Sequence, residues 1–141
     1  MIGKNNLLNI RTSAHFNWNG QTGATKGFCD FESTEACRRV GAYLLMKSYR
    51  RAKVQTIHDI IFRFAPPSEN QSGEYVAFVC KWTGFKPTDK MVFPSDYAAV
   101  LAAMEMMEMG ISSWQRVSYF KGAREAYAEV MDKFKLYRYE D

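Results

Sequence analysis

The chain has 141 residues, with 47% hydrophobic, 15% aromatic and 24% charged side chains. That length and balance exclude a disordered or fibrous protein and suit one domain able to bury a sizeable core. A formal net charge of +4 and a pI near 9.0 lean mildly towards acidic partners, such as nucleic acid, anionic cell-wall polymer or lipid.

Residues 1–32 form the irregular part. Asn5, Asn6, Asn9, Asn17, Asn19, Gly20, Gly23 and Gly27 crowd it with turn formers. Leu7 to Arg11 and Gly27 to Phe31 read as two short extended segments, a small hairpin at most. From Ser33 onward the pattern is helical. Acids and a cap stand at Glu32 to Glu35, and the apolar stripe through Ala36, Cys37, Val40, Gly41, Leu44 and Leu45 runs to about Ala52. Thr56-x-x-Asp59 resembles a capping box that starts a second helix with Ile57, Ile60, Ile61 and Phe64 on one face.

Pro66 and Pro67 end that helix, because a proline supplies no backbone N–H and pushes its predecessor out of the helical region. The elbow Arg63 to Tyr75 then carries Glu69 and Asn70, and Ser72 is the expected cap of a third helix that stops at Gly84. After a loop containing Pro87, the run Pro94-Ser95-Asp96 opens a fourth helix with Tyr97, Val100, Leu101, Met104 and Met107 facing inward, closed by Gly110. Ser112 or Ser113 starts a long fifth helix, 112–137, whose predicted inward stripe is Trp114, Val117, Phe120, Tyr127, Val130, Met131 and Phe134. The predicted fold is mostly α, about five helices with a short irregular or β N-terminal region, in a single domain: cap 1–32, helical core 33–110, final helix 112–137.

Cys29, Cys37 and Cys80 match no zinc spacing, and His15 and His58 have no ligand partners at metal spacing, so neither a metal nor a cofactor is expected. Cys37 and Cys80 fall on apolar faces, where a thiol acts as a small hydrophobe. No apolar run reaches the ~20 residues of a membrane span, and the opening residues lack the apolar stretch of a signal peptide. Synthesis in the cytoplasm is therefore expected, with release by lysis or a separate machine. Arg39, Tyr43, Lys47 and Arg50 make a basic stripe that suits phosphate tracking or, more simply, a solvated face, so nucleic acid is not an expected partner. The Met104, Met106, Met107 and Met109 cluster suits core packing or a protein-binding surface.

Carboxylates carry the sharpest expectation. Glycoside cleavage needs a protonated acid beside the bond and usually a second carboxylate across it. Glu69, on a proline-stiffened elbow, suits the acid if desolvation raises its pKa; Glu74 or Glu108 suits the second carboxylate. Glu69 would equally serve as a helix cap or an acceptor for loop amides.

Several segments together resemble a family of small phage and prophage proteins, common in Bacteroidetes genomes and described as structural or lysozyme-like. Asn5-Asn6-Leu7-Leu8-Asn9-Ile10-Arg11 is similar to that family's N-N-P-x-N-I-R opening, with Leu7 in place of proline. Trp18-Asn19-Gly20-Gln21 and Gly27-Phe28-Cys29-Asp30-Phe31 match its W-x-G-Q and G-F-x-x-F segments. Thr56 to Val76 matches its T-I-x-x-I-I-x-R-x-A-P-P-x-E-N-x-x-x-Y-[IV] block, and Glu108-Met109-Gly110 a late E-x-G. The likeness covers residues 2–110 and leaves the final helix outside.

The resemblance implies a lysozyme-like fold and a muramidase or lytic transglycosylase activity on peptidoglycan, or the fold retained without the activity. It implies Glu69 as general acid, Arg11 and Asn70 orienting the substrate, Trp18 stacked on a sugar and Tyr75 lining the cleft. The expected partner is bacterial cell-wall glycan; the rival is a virion or assembly protein that binds other proteins.

Overall fold

The structure is a computed structural model that describes residues 1–139. After an N-terminal coil come β1 (Gln21–Thr25) and β2 (Phe28–Phe31), an antiparallel pair. Then follow α1 (Thr34–Tyr43), α2 (Ile57–Phe64), α3 (Ser72–Thr83), α4 (Tyr97–Met109) and α5 (Arg116–Lys133), with a final 3-10 turn at Leu136–Tyr139. The mostly α fold with a short β N-terminus is as the sequence reading has it.

Lys26 and Gly27 both have positive φ, 51° and 85°, the geometry that a two-residue hairpin turn demands. The strand partner of Phe28–Phe31 is thus Gln21–Thr25, and Leu7 to Arg11 contributes only an isolated bridge from Arg11 to Phe28. That segment is instead coiled around its asparagines. Asn6 is fully buried; its amide donates to the carbonyls of Ile10 and Cys29 at 2.9 Å each, and its oxygen accepts from the Ile10 N–H. Asn5 and Asn9 take left-handed backbone, which asparagine tolerates better than most residues. The coil so formed lays Leu8 on α1 at Gly41, where a Cβ would collide with the Leu8 side chain.

Helix ends follow local chemistry. Ser33 caps α1 by accepting from the Ala36 N–H, and Thr56 caps α2 by accepting from the Asp59 N–H. Gly84 and Gly110, both left-handed, end α3 and α4. Ser72 does not cap α3: it is buried, and its hydroxyl donates back to the Ala65 carbonyl, tying the two ends of the elbow together. α1 runs on as a π-helical segment, Leu44–Tyr49, a form that is rare and often sits beside functional sites.

α4 is the centre. Every residue from Val100 to Met106 is almost inaccessible, and α1, α3 and α5 pack around it. Its burial all round, rather than on one stripe, explains why Ala102, Ala103 and Met106 join the expected inward set. One of those residues is charged. Glu105 is fully buried and takes Arg38 of α1 as a fork, Nε at 3.0 Å and Nη2 at 2.9 Å. The hydroxyls of Tyr119 and Tyr127, both on α5, donate to it at 2.7 and 3.0 Å. Three polar side chains from two helices meet on one carboxylate of a third.

α5 departs from expectation at its start. A 3-10 turn, Ser113–Gln115, precedes it, so the helix begins at Arg116. Tyr119, Ala123, Tyr127, Val130 and Met131 then set its inner side, while Trp114 and Val117 are 82% and 75% exposed. The predicted stripe assumed one unbroken helix from Ser112, and the 3-10 turn shifts its first turn out of phase.

Glu105→Ala would strand a part-buried guanidinium, the part-buried Tyr119 hydroxyl and the buried Tyr127 hydroxyl. We expect it to lower unfolding free energy by about 3–5 kcal/mol in urea titrations, since breaking a buried pair from one side leaves the other side uncompensated. A loss below about 1 kcal/mol would show that the network contributes little.

Candidate functional site

Glu69, Glu74 and Glu108 gather where the N-terminal coil, the proline elbow and the C-terminal turn of α4 meet. Two hollows adjoin there. One, of about 490 Å³, is lined by Asn9, Arg11, Trp18, Tyr49, Arg63, Glu69, Asn70 and Glu108 among others. The second, of about 610 Å³, is lined by Glu69, Asn70, Glu74, Tyr75, Met107 and Glu108 among others. Glu69, Asn70 and Glu108 are common to both, so they form the ridge on which the two halves of one groove meet.

Local sequence explains each position. Pro66 and Pro67 stop α2, and the chain turns back on itself: the Glu69 N–H donates to the Pro66 carbonyl at 3.0 Å, and the Asn70 amide donates to the same carbonyl at 3.3 Å. Glu69 is thus held at the tip of a turn, its side chain 50% exposed. Arg11 faces it, Nη2 to Oε1 at 3.8 Å, with the guanidinium lying 4.7 Å over the Phe28 ring. Such an open pair contributes little to stability but orients both ends.

Glu108 is the contrasting carboxyl. It stands in the last turn of α4, largely buried, and the Asn9 amide donates to its Oε1 at 3.0 Å. The Tyr75 hydroxyl, itself buried and 3.4 Å from the Met104 carbonyl, also bonds its carboxyl. Burial raises the Glu108 pKa above its usual 4.5, and the bonds from Asn9 and Tyr75 offset only part of that rise. A carboxyl with neutral donors and no cation holds its proton to higher pH. The desolvation expected at Glu69 is therefore found at Glu108.

The other expected residues divide by position. Arg11, Trp18 and Asn70 line the first hollow, and Glu74 lies in the second, exposed, where the Gln71 amide reaches its carboxylate at 3.0 Å once that amide is turned. Tyr75 is buried behind Glu108 and acts on that carboxyl more than on the open groove. Sequence reasoning passed over Asn9, whose signal was the Asn-Asn-x-x-Asn spacing that puts one asparagine against β2, one in the core and one on Glu108. It also passed over Glu105, although a carboxylate in the middle of an apolar helix marks a buried partner.

The π-helical segment shapes the same groove. Leu44 and Tyr49, five apart, line the first hollow, while Tyr43 and Ser48, also five apart, line a further hollow beyond Trp18. The i to i+5 repeat of that helix form brings each pair to one side.

The basic stripe packs against rings. Arg39 lies 4.0 Å over Phe134, Lys47 5.7 Å over Tyr43 and Arg50 3.7 Å over Phe93. The three cysteines carry free thiols, with Cys29 and Cys37 buried and the latter pushed up to about 12 by burial. Among the described residues no three His, Cys, Asp or Glu side chains come together as a metal would need, and no helix is long and apolar enough to cross a membrane.

No family model matches the chain. It is similar to Protein P5 of Pseudoalteromonas phage PM2, 30% identical over 125 residues that cover 86% of this chain and 78% of that protein.

Glu108 makes stability depend on pH in a definite sense. Its native pKa is raised, so the native state holds the proton more tightly. Stabilisation tied to it is full below the unfolded value of 4.5 and is lost as pH rises through the native value. Glu108→Gln keeps an acceptor for Asn9 and has no charge to bury. Urea unfolding between about pH 4 and about pH 8 is expected to show the variant gaining on wild type as pH rises. A gap independent of pH would contradict the raised value.

Proposed function

The chain belongs to the family of the phage protein P5, and from that premise we propose that this phage-related protein binds and cleaves the glycan of bacterial peptidoglycan. The observation that carries the reading is Glu108: a carboxyl whose pKa burial raises, opening on the same groove as the accessible Glu69.

In this scheme Glu108 gives its proton to the glycosidic oxygen as the bond from that oxygen to the anomeric carbon breaks. Glu69, steadied by Arg11, faces the positive charge that develops on the sugar. After departure of the leaving sugar, Glu108 takes a proton back from the attacking hydroxyl, as microscopic reversibility requires. Asn9 and Tyr75 hold the Glu108 carboxyl in position, Trp18 offers a ring face to a sugar, and Asn70 offers an amide to its hydroxyls. This division reverses the roles expected from sequence, where Glu69 was the acid.

A second reading has its own observation. Trp114 and Val117 stand out from the surface at the start of α5, beside a hollow lined by Ile111, Trp114, Gln115, Ser118 and Tyr119. Exposed apolar groups of that size suit contact with another virion or assembly protein.

The test is release of soluble fragments from purified peptidoglycan by wild type, Glu108→Gln, Glu69→Gln and Trp114→Ser. Loss of about 10²–10⁴-fold in rate is expected for Glu108→Gln, a comparable loss for Glu69→Gln and none for Trp114→Ser. Wild type that releases nothing while sedimenting with the wall would reduce the reading to binding. Wild type that neither cleaves nor sediments would leave the assembly reading.

A further inference from the structure

Beyond Trp18 the groove continues into a hollow of about 450 Å³, lined by Phe16, Asn17, Trp18, Asn19, Arg39, Val40, Tyr43, Ser48 and Leu136. Trp18 belongs to this hollow and to the one holding Glu69 and Glu108, so the two are joined through one indole. Phe16 meets that indole edge-on at 4.7 Å, and Tyr43 stands 6.2 Å from it, which gives the hollow a fixed aromatic wall.

The same hollow carries Arg39, one helical turn before Tyr43 on α1. Its guanidinium stacks 4.0 Å over the Phe134 ring, and among the described residues it forms no ion pair with a carboxylate. A stacked guanidinium is a planar fork with little orientational freedom left to lose, the arrangement that best receives a carboxylate through two parallel bonds. Asn17, Asn19 and Ser48 add amides and a hydroxyl around it, groups that pair with peptide N–H and C=O.

We infer that this hollow is a binding site for the carboxylate-bearing peptide arm of a peptidoglycan strand whose glycan lies across Glu69 and Glu108. The inference rests on the glycan reading given above and adds what the site selects. A bare sugar polymer has no anion for Arg39. A wall strand does, because its peptides branch from the sugars and end in carboxylates. The aromatic wall accepts the apolar faces of the sugar bearing the peptide and of the first side chains, and Arg39 fixes the acid. The overall positive charge of the chain favours the same partner.

Binding of two soluble fragments tests this: a peptidoglycan disaccharide carrying its tetrapeptide, and a bare disaccharide of N-acetylglucosamine, which has no carboxylate. Calorimetry would compare wild type, Arg39→Gln and Arg39→Lys, each shown to be folded by its thermal transition. Wild type is expected to prefer the peptide-bearing fragment by about ten-fold or more, as a hydrogen-bonded charge pair supplies. Arg39→Gln should abolish the preference while leaving the affinity for the bare disaccharide unchanged, and Arg39→Lys should fall between.

Equal affinity of wild type for both fragments overturns the inference and leaves the glycan reading standing. So does a preference that survives in Arg39→Gln. Failure to bind either fragment overturns both. A preference that depends on Arg39, in a protein that releases nothing from whole peptidoglycan, upholds the peptide site and sinks the cleavage.

Discussion

A charge sealed inside an apolar helix is the constraint on which this structure turns. Glu105 lies within the seven-residue stretch of α4 that solvent barely reaches. A carboxylate in such a place is tolerated only where cations and hydroxyls replace its water. Arg38 brings α1, and Tyr119 and Tyr127 bring α5, so the relative rotation and register of three helices are set by one group. Burial pushes the Tyr127 hydroxyl well above its ordinary range, as does the nearby carboxylate, so it stays a donor. Apolar contacts alone would let α4 slide or turn between similar packings; a four-way polar junction does not.

The site follows from the same helix. Glu108 stands one turn on from Glu105 and is also largely buried, but it receives a neutral amide and a neutral hydroxyl instead of a cation. Two carboxyls on one helix thereby acquire different characters from their neighbours: one is paired with a cation, the other has its pKa raised by burial at the edge of a groove. The N-terminal coil completes the second environment. Asn6 anchors the coil in the core, and the coil delivers Asn9 to Glu108 and Arg11 to Glu69. An apparently loose stretch rich in asparagine is thus what assembles the groove.

Much of the architecture could be read directly from residues. Thr56 and Asp59, Gly84, Gly110 and the proline pair mark helix ends through local chemistry, and local chemistry is what a sequence displays. The errors lie where distant contacts decide. Ser72 has the right type and position to cap α3, yet its hydroxyl turns back to Ala65 across the elbow. Trp114 and Val117 fit a helical stripe, but a 3-10 turn before α5 throws them outward. Leu7 to Arg11 reads as a short extended segment, and its asparagines coil it instead. The elbow glutamate and the α4 glutamate were both visible as candidates, while the depth of each was not. Desolvation belongs to the assembled fold, so the residues of the elbow could mark a site without telling which carboxyl is desolvated.

The account stands on the claim that burial raises the Glu108 pKa, and site-resolved carbon NMR of the glutamate carboxyl groups across a pH titration measures it directly. The account predicts a Glu108 midpoint above 4.5, rising further in Asn9→Ala, where a bond that favours the charged form is gone. A Glu108 midpoint at or below 4.5 would contradict it.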